Sequence, residues 1–465
     1  MKHNDYRIYK RLFRRNRMSD AELMHKMAQF MSGNSYFVGN SPVVWYTNNF
    51  DFVKNAYSKN AEVFSIINKI TDKANVAVPF LYIDKSGVKS KRQGKTYQHT
   101  RKNRADSVGM AKHRLQVSKD LEFADMGSDL ANLLLQPNEN ETWRDLMTLV
   151  RIFYFLQGEA FLYREAGDDL CAQSIHIAPP NLMSPIIDST NIDGLFLKGW
   201  KLDLLNGRSR YFDKDEVFHL KMPNPNFDGA GLQFRGFSPL ISGLKYLKLS
   251  DSSLESWAKS VENEGAKGII SPNHADPKLW LTPGQTRDTQ KMAQEKIHGS
   301  DNKNKIVVSA MPLQYTHIGL SPDALNVISA LDKSQVKLND LWGVPAVLFE
   351  PNPTYQNQQA GAKRFLREVI IPYLNIEEDK LNQWLVEPFK IRDNIDYVID
   401  YDTSMYDELR LSVDQTDALL RTHTINEVRV MLGSDESKEE YANQIFVQQG
   451  MLPLSDYGAE MDFLN

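Results

Sequence analysis

Hydrophobic positions change their period several times along the chain, and each change predicts a different element. In "PNENETWRDLMTLVRIFYFLQG" a turn signal precedes Leu146, Leu149, Val150, Phe153 and Leu156 at helical spacing, and Gly158 suits the C′ position beyond them. "EAFLYREAG" and "GWKLDLLNGRSRYFDKDEVFHLKM" then predict strands, with Asn206-Gly207 as a hairpin turn. From Ser238 the period returns to that of a helix. Ser238 can cap, Pro239 suits the first turn, and Leu240, Leu244, Leu247, Leu254, Trp257 and Val261 step by three, four and seven. They share one stripe of a helix of about 25 residues, roughly 37 Å long. "SPDALNVISALDKSQVKLNDLW" repeats the pattern with Leu325, Ile328, Leu331, Leu338 and Leu341. Two such narrow stripes cannot bury themselves as a lone hairpin. The pair requires neighbours, from its own domain or from other copies.

Between the two helices, "AKGIIS" predicts a short strand and "LTPGQTRDTQKMAQEKIHG" a helix ended by Gly299. "NKIVVSAMPLQYTHIG" predicts two strands meeting at Met311-Pro312, which makes a β-α-β-β insert at the tip of a helical hairpin. Beyond "GVPAVLF" the pattern stops. From Glu350 to Gly361 the chain is polar and amide-rich, and Asn352, Tyr355, Gln356, Asn357, Gln358 and Gln359 carry no charge. It reads as a neutral loop between helices. "AKRFLREVIIPYLNIEEDKLNQWLV" resumes as a helix kinked at Pro372, "KIRDNIDYVIDYD" as a strand, and the chain from Met405 as mostly helical.

Upstream, residues 1–45 form a basic arm, with a helix candidate and then a Gly/Asn/Ser-rich stretch. In "KSGVKSKRQGKTYQHTRKNRAD" the run of lysines and arginines from Lys89 to Arg104 reads as a solvated loop, with a nucleic-acid or partner contact as the less favoured reading. The fold class is α+β. Its expected units are the arm 1–45, an α+β domain 46–237, a helix 238–263, the insert 264–320, a helix 321–342, a mixed segment 343–404 and a helical end 405–465.

Composition narrows the function. With 465 residues and 42% apolar content the chain can bury a large core, split over two or more domains. A net charge of −4 argues against a protein that coats nucleic acid. The single cysteine, Cys171, excludes a disulfide framework and a cysteine zinc site, which fits a reducing compartment. The basic start lacks the apolar core of a secretory signal, and "LVRIFYFLQGEAFLY" is interrupted by Arg151, Gln157 and Glu159, so no membrane span is expected.

The search for chemistry finds little. GxxxxGK[ST], HExxH, GxSxG and CxxC pairs do not occur. "DGAGLQFRG" reads as a turn, and His219, His317 and His423 as ordinary strand or helix residues. The best metal candidate is the set Asp393, Asp396, Asp400, Asp402 and Asp407, in which 396, 400 and 402 share a strand face. A solvated face explains them equally well. A metal-dependent nuclease using these aspartates stands as the alternative function; otherwise no catalytic residue, metal or cofactor is expected.

The order "LLLQPNENETWRDLMTLVRIFYFLQGEAFLY", "EVFHLKMPNP", "GFSPLISGL", "LNDLWGVPAVLF" and "HTINEVRVMLG" resembles the portal proteins of tailed bacteriophages over nearly the whole chain. Ala346 departs from the family, which often has a second proline there, and the basic insert 89–104 and the arm have no clear family counterpart. The resemblance implies a non-enzymatic ring, usually a dodecamer, at one capsid vertex of the virion, assembled in the host cytoplasm. Double-stranded DNA is pumped in through its hole and later released. Residues 46–237 would be the wing, 238–263 and 321–342 the stem, 264–320 the clip and 405–465 the crown.

The same resemblance implies a tunnel loop after "GVP", with Asn352, Tyr355, Gln356, Asn357, Gln358 and Gln359 touching DNA through neutral hydrogen bonds. Segment 343–404 would hold that loop, a long helix and a strand returning to the wing. The stem lysines Lys245, Lys248, Lys333 and Lys337 would be scattered, which suits passage of a polyanion better than grip. On the clip helix, Arg287, Lys291 and Lys296 are candidates for docking the terminase large subunit and later the neck or adaptor proteins. The major capsid and scaffolding proteins are further implied partners. The packaging ATPase would be another polypeptide, since no nucleotide site is visible.

Overall fold

The structure is a computed structural model that describes residues 37–38, 41–42, 52–85, 91–167, 170–188, 196–204, 207–226, 231–262, 268–272, 282–296, 313–317, 327–447 and 452–453. Strands β1 (Phe37–Val38) and β2 (Ser41–Pro42) pair as a minimal hairpin. A π turn at Phe52–Tyr57 precedes helix α1 (Ala61–Ala74). Asn60 caps α1, accepting from the Val63 N–H at 3.0 Å, and Val63, Ile66, Ile67, Ile70 and Ala74 form its buried face. Strand β3 (Val78–Asp84) follows, then α2 (Lys91–Lys102), α3 (Ser107–Asp120), β4 (Leu121–Phe123) and α4 (Asp129–Leu135). The basic segment expected to be a solvated loop is therefore partly helix α2. Its last turn enters the core.

Helix α5 (Trp143–Gln157) has the predicted limits. Thr142 and Asp145 form a capping box, and Gly158 ends the helix in the left-handed region at φ 79°. Strands β5 (Glu159–Ala166), β6 (Ala172–Ala178), β7 (Met183–Asp188), β8 (Phe196–Asp203), β9 (Ser209–Asp213) and β10 (Val217–Lys221) make two antiparallel sheets, ordered β10-β5-β6 and β7-β8-β9. The β8–β9 hairpin closes where the Asn-Gly pair predicts it, with the Leu204 N–H donating to the Arg208 carbonyl at 2.7 Å. Phe161, Met183, Trp200, Leu202, Phe212 and Val217 pack the two sheets together.

Helix α6 is described as Pro239–Glu262. Strand β11 (Gly268–Pro272), helix α7 (Pro283–Lys296) and strand β12 (Leu313–His317) belong to the insert, and β11 pairs antiparallel with β12. Gly299 and the strand expected before Met311 lie outside the described residues. So do Ser321 and Leu325, and helix α8 is described as Val327–Leu341. Gly243, near the start of α6, faces Leu341 and Leu338 near the end of α8, so the two helices run antiparallel. The predicted stripe on α6 divides. Leu240 and Leu247 are buried, whereas Leu254 and Trp257 are 42% and 47% exposed.

After Gly343 (φ 68°) and a 3-10 turn at Ala346–Phe349, the chain is helical without a break from Tyr355 to Asp393. This run comprises α9 (Tyr355–Phe365), a π turn at Leu366–Ile370, α10 (Ile371–Leu381), a π turn at Asn382–Val386 and α11 (Glu387–Asp393). The expectation of a neutral loop is corrected here: Tyr355 to Gln359 are helix. Thr354 supplies the cap, accepting from the Asn357 N–H, and Gln is nearly as good a helix former as Leu. Neither proline breaks the run. Pro372 and Pro388 each stand just after a π turn, whose extra residue accommodates the missing N–H donor.

Asn394 (φ 54°) ends α11, and strand β13 (Tyr397–Asp402) starts only there, so Lys390 to Asp393 are helical and not strand. Strand β13 pairs with β3 (Tyr397 with Ile83), giving a third sheet ordered β13-β3-β4. Helices α12 (Val413–Leu420) and α13 (Ile425–Leu432) follow, and strands β14 (Phe446–Val447) and β15 (Leu452–Pro453) pair beyond them. One main core joins α1, α5, β5, β10, α10 and β13. Among the described residues no helix is long and apolar enough to cross a membrane.

Candidate functional site

The α6–α8 pair is fastened at its root. Asn60 Nδ2 donates to Asp251 at 2.8 Å, and Trp342 Nε1, just past α8, donates to the Phe155 carbonyl at 2.7 Å. Leu240, Gly243, Leu247 and Ser250 form the buried face of α6. Ile241, Tyr246 and Leu249 are exposed around the rest of the helix, and Leu254 and Trp257 are exposed on the outer half of the buried stripe, an apolar surface that no described residue covers. Lys245, Lys248 and Lys333 are exposed, and Lys337 lies 3.2 Å from Asp340. Helix α6 thus presents apolar contact area, and both long helices carry scattered cations.

The amide-rich segment projects from this root. Asn352 and every residue from Tyr355 to Ala360 are exposed, with Tyr355 at 77%. Gly361 is the first buried residue of α9, where a Cβ would overlap Val347. The turn before the segment is held by Lys69, whose Nζ donates to the Leu348 carbonyl at 2.7 Å and lies 4.6 Å from the centre of the Phe349 ring. Burial lowers the Lys69 ammonium below its usual range. The segment offers uncharged donors and acceptors on a rigid helical end and no group that performs chemistry. On α7, Arg287 and Lys291 are exposed, and Lys296 is the last helical residue.

The basic segment and the aspartates meet each other. Arg104 is fully buried and bonds to Asp400 at 2.7 Å and to Glu378 at 2.6 Å. Arg101 reaches Glu378 at 2.9 Å and also Asp379, while His113 closes on the second Asp400 oxygen at 2.9 Å. Burial alone would raise the Asp400 carboxyl, but His113 and Arg104 outweigh it and hold it at about 2. Burial, with Asp400 beside it, raises Glu378 despite its two arginines. Nearby, Arg151 pairs with Glu377 at 2.7 Å, and the hydroxyls of Tyr373 and Tyr401 donate to the same carboxylate.

This arrangement corrects two expectations. The end of the basic insert is structural, and Asp400, read as part of a solvated strand face, is buried and neutralised by protein cations. Asp393 is held by Arg392 at 2.7 Å, and Asp402 accepts from the Ser404 N–H at 2.8 Å. Among the described residues no group of three or more His, Cys, Asp or Glu is placed to hold a metal ion. The buried roles of Arg104 and Glu378 had no local trace in the sequence, because each partner lies hundreds of positions from the other.

The motif "TINEVR" is an organiser of the chain beyond it. Thr424 and Glu427 form a capping box. Buried Asn426 accepts from the Ser437 N–H at 2.7 Å and donates to the Ser437 carbonyl at 3.0 Å and to Asn443 at 2.9 Å. Arg429 Nε donates to the Asp435 carbonyl at 2.9 Å.

The family model described as phage portal protein matches residues 104–433. An uncharacterized protein of Rickettsia bellii (strain RML369-C) is 23% identical over 340 residues, covering 72% of this chain and 85% of that protein. Among solved structures, a chain in the virion of a native gene transfer agent particle superposes with a TM-score of 0.56 at 17% identity, over 88% of this chain and 98% of its own length. A chain in the neck of an empty gene transfer agent particle gives 0.55 at 17% identity, over 86% and 97%. At such identity the likeness is one of fold.

Proposed function

The chain belongs to the phage portal protein family, and from that premise we propose that it closes into a ring at one vertex of a capsid and forms the path of double-stranded DNA. The observation that carries this reading is the apolar surface that α6 leaves exposed: Ile241, Tyr246 and Leu249 off its buried stripe, and Leu254 and Trp257 on the outer half of that stripe. A helix with that much exposed apolar surface has room for a neighbour that the described residues do not supply. A repeated heterologous contact supplies that neighbour in every subunit and leaves none exposed once the ring closes. Twelve copies is the number the family resemblance implies.

In this proposal α6 and α8 form the stem, the β11–α7–β12 insert forms the clip, and the exposed end of α9 borders the channel. DNA is packaged by a terminase motor and later ejected. Arg287, Lys291 and Lys296 would present the clip's cations to that motor and then to neck proteins, with capsid and scaffolding proteins contacting the outer rim. The amides of Gln356, Asn357, Gln358 and Gln359 and the hydroxyl of Tyr355 would meet phosphates through neutral bonds that exchange readily as DNA moves. Isolated lysines on the stem release few counterions and so hold the duplex weakly. The nuclease reading finds no support, since the aspartate at its centre is engaged by Arg104 and His113.

Negative-stain imaging of the purified protein tests the proposal. Rings with a central hole are expected; a monodisperse monomer at micromolar concentration would overturn it.

A further inference from the structure

Two sequence motifs, Gly158-Glu159 and the run Arg235 to Ser238, meet at the root of α6 and form one joint. A Cβ on Gly158 would overlap the Phe237 carbonyl, and a Cβ on Gly236 would overlap the Gly158 carbonyl. The two backbones touch, so only glycines fit. Ser238 Oγ donates to the Leu156 carbonyl at 2.7 Å, one residue before α6 begins.

Glu159 lies at the centre with its side chain fully buried. Its carboxylate accepts from Arg235 Nε at 2.7 Å, from the Gly236 N–H at 2.8 Å and from His219 Nε2 at 3.1 Å. A carboxylate only accepts, so His219 Nε2 carries a hydrogen. Arg235 also donates to the carbonyls of Met183 and, at 2.8 Å, Pro180. The His219 ring stacks on Phe161 with centroids 4.2 Å apart and meets Trp200 edge-on at 4.7 Å. One carboxylate therefore ties β5, β10, the start of β7 and the strap that enters α6.

We infer that the Glu159–Arg235–His219 cluster is an acid-sensitive joint, which holds the root of α6 to the sheet at neutral pH and loosens it when His219 becomes a cation. With His219 neutral, Glu159 and Arg235 balance each other. A second ring proton leaves the buried cluster with excess positive charge. The other charged groups around it make this worse: Lys221, on the same strand, donates to the Gln233 carbonyl at 2.6 Å, and Lys380 of α10 adds a further positive field at Lys221.

The titration directions agree with the geometry. Burial pushes His219 below its ordinary range, with Glu159 partly opposing and Arg235 and Lys221 reinforcing the shift. At Glu159 burial acts upward, but Arg235 and His219 outweigh it and keep the carboxyl low. The folded chain binds the His219 proton less readily than the unfolded chain does. The joint's contribution is therefore complete above the unfolded histidine value of about 6.5 and declines as pH falls below it.

The joint is internal to one chain, so its test is independent of DNA and of the channel. Amide hydrogen exchange of the full-length protein, corrected for intrinsic rates, is compared at about pH 7.5 and about pH 5.5, values that bracket an ordinary histidine. Protection of residues 236–244 should fall about tenfold in acid while that of α1 holds. His219→Gln keeps a donor for Glu159 but cannot be charged, and it should abolish the pH dependence. Glu159→Gln should lower protection at both pH values. Unchanged protection of residues 236–244 in the unsubstituted protein would overturn the inference, as would an acid response in His219→Gln equal to the unsubstituted one. Those two measurements decide the matter even if Glu159→Gln fails to fold.

Discussion

Arg104 and Asp400 bond at 2.7 Å in the core although 296 positions separate them in the chain. The same guanidinium holds Glu378 at 2.6 Å and the Tyr401 carbonyl at 3.2 Å. A segment that looks like a solvated charge block thus ends as a strut between α2, α10 and β13. Replacing Arg104 with Met removes the cation and leaves two buried carboxylates facing each other. The unfolding free energy should fall by about 3–5 kcal/mol, read from the urea midpoint at constant slope. Lys119→Met, which breaks the partly exposed Lys119–Glu427 pair (2.6 Å), should cost less than about 1 kcal/mol.

The two buried clusters should separate on a pH axis. Asp400 is held at about 2, so its contribution is present above the unfolded carboxylate value and is lost only as pH falls toward 2. The joint at Glu159 should loosen earlier, as His219 charges. Exchange along α2 and α10 should stay unchanged at the mild acidity that deprotects residues 236–244. Simultaneous loss of both regions would show that they unfold as one unit.

The difference between what the sequence displayed and what it hid follows from the range of each interaction. Helices α5 and α6 were legible because their starts, stripes and stops are local: a turn signal and Gly158 for one, Ser238 and Pro239 for the other. Helix α9 was not, because an amide run preceded by Pro351 and Pro353 carries no stripe, and its one start signal was Thr354 as a cap. The π turns before Pro372 and Pro388 have no pattern in side-chain period at all. The exposure of Leu254 and Trp257 was hidden for another reason. Periodicity shows that a face is apolar, not whether its partner belongs to the same chain.

Asn382 closes the free edge of β13. Its side chain donates to the Ile399 carbonyl and accepts from the Ile399 N–H, both at 2.8 Å, as a neighbouring strand would. Asn382→Ala should cost about 1–3 kcal/mol, because two buried backbone groups lose their partners. It should also leave an unpaired edge that self-associates. Urea titration and light scattering at rising concentration measure the two effects.

Covering the exposed apolar surface of α6 should be the main drive for assembly. Trp257→Asp introduces a charge where the proposed neighbour packs, and each contact should weaken by on the order of 2 kcal/mol. Rings should give way to subunits with unchanged far-ultraviolet circular dichroism, because Trp257 is exposed and lies outside the core of the described residues. Intact rings would move the interface away from this surface.

The exposed end of α9 allows the channel proposal to be tested by charge alone. Gln356, Gln358 and Gln359 can be changed together to Lys, which has a similar helix propensity. Thr354 remains to cap the helix. The new cations stand near a helix N-terminus and should cost some tenths of a kcal/mol each, too little to unfold the segment. If the segment borders the DNA path, each ring gains a circle of cations around the duplex. Affinity for a short duplex should then rise steeply at low salt and fall with a slope of about 0.9 per neutralised phosphate on a double-logarithmic plot. Unsubstituted rings should bind weakly with a shallow slope. The same lysines on a chain that also carries Trp257→Asp should bind weakly too, since isolated subunits cannot encircle DNA. Equal affinity and slope for substituted and unsubstituted rings would place the amides away from the channel, and neutral passage would then need another surface.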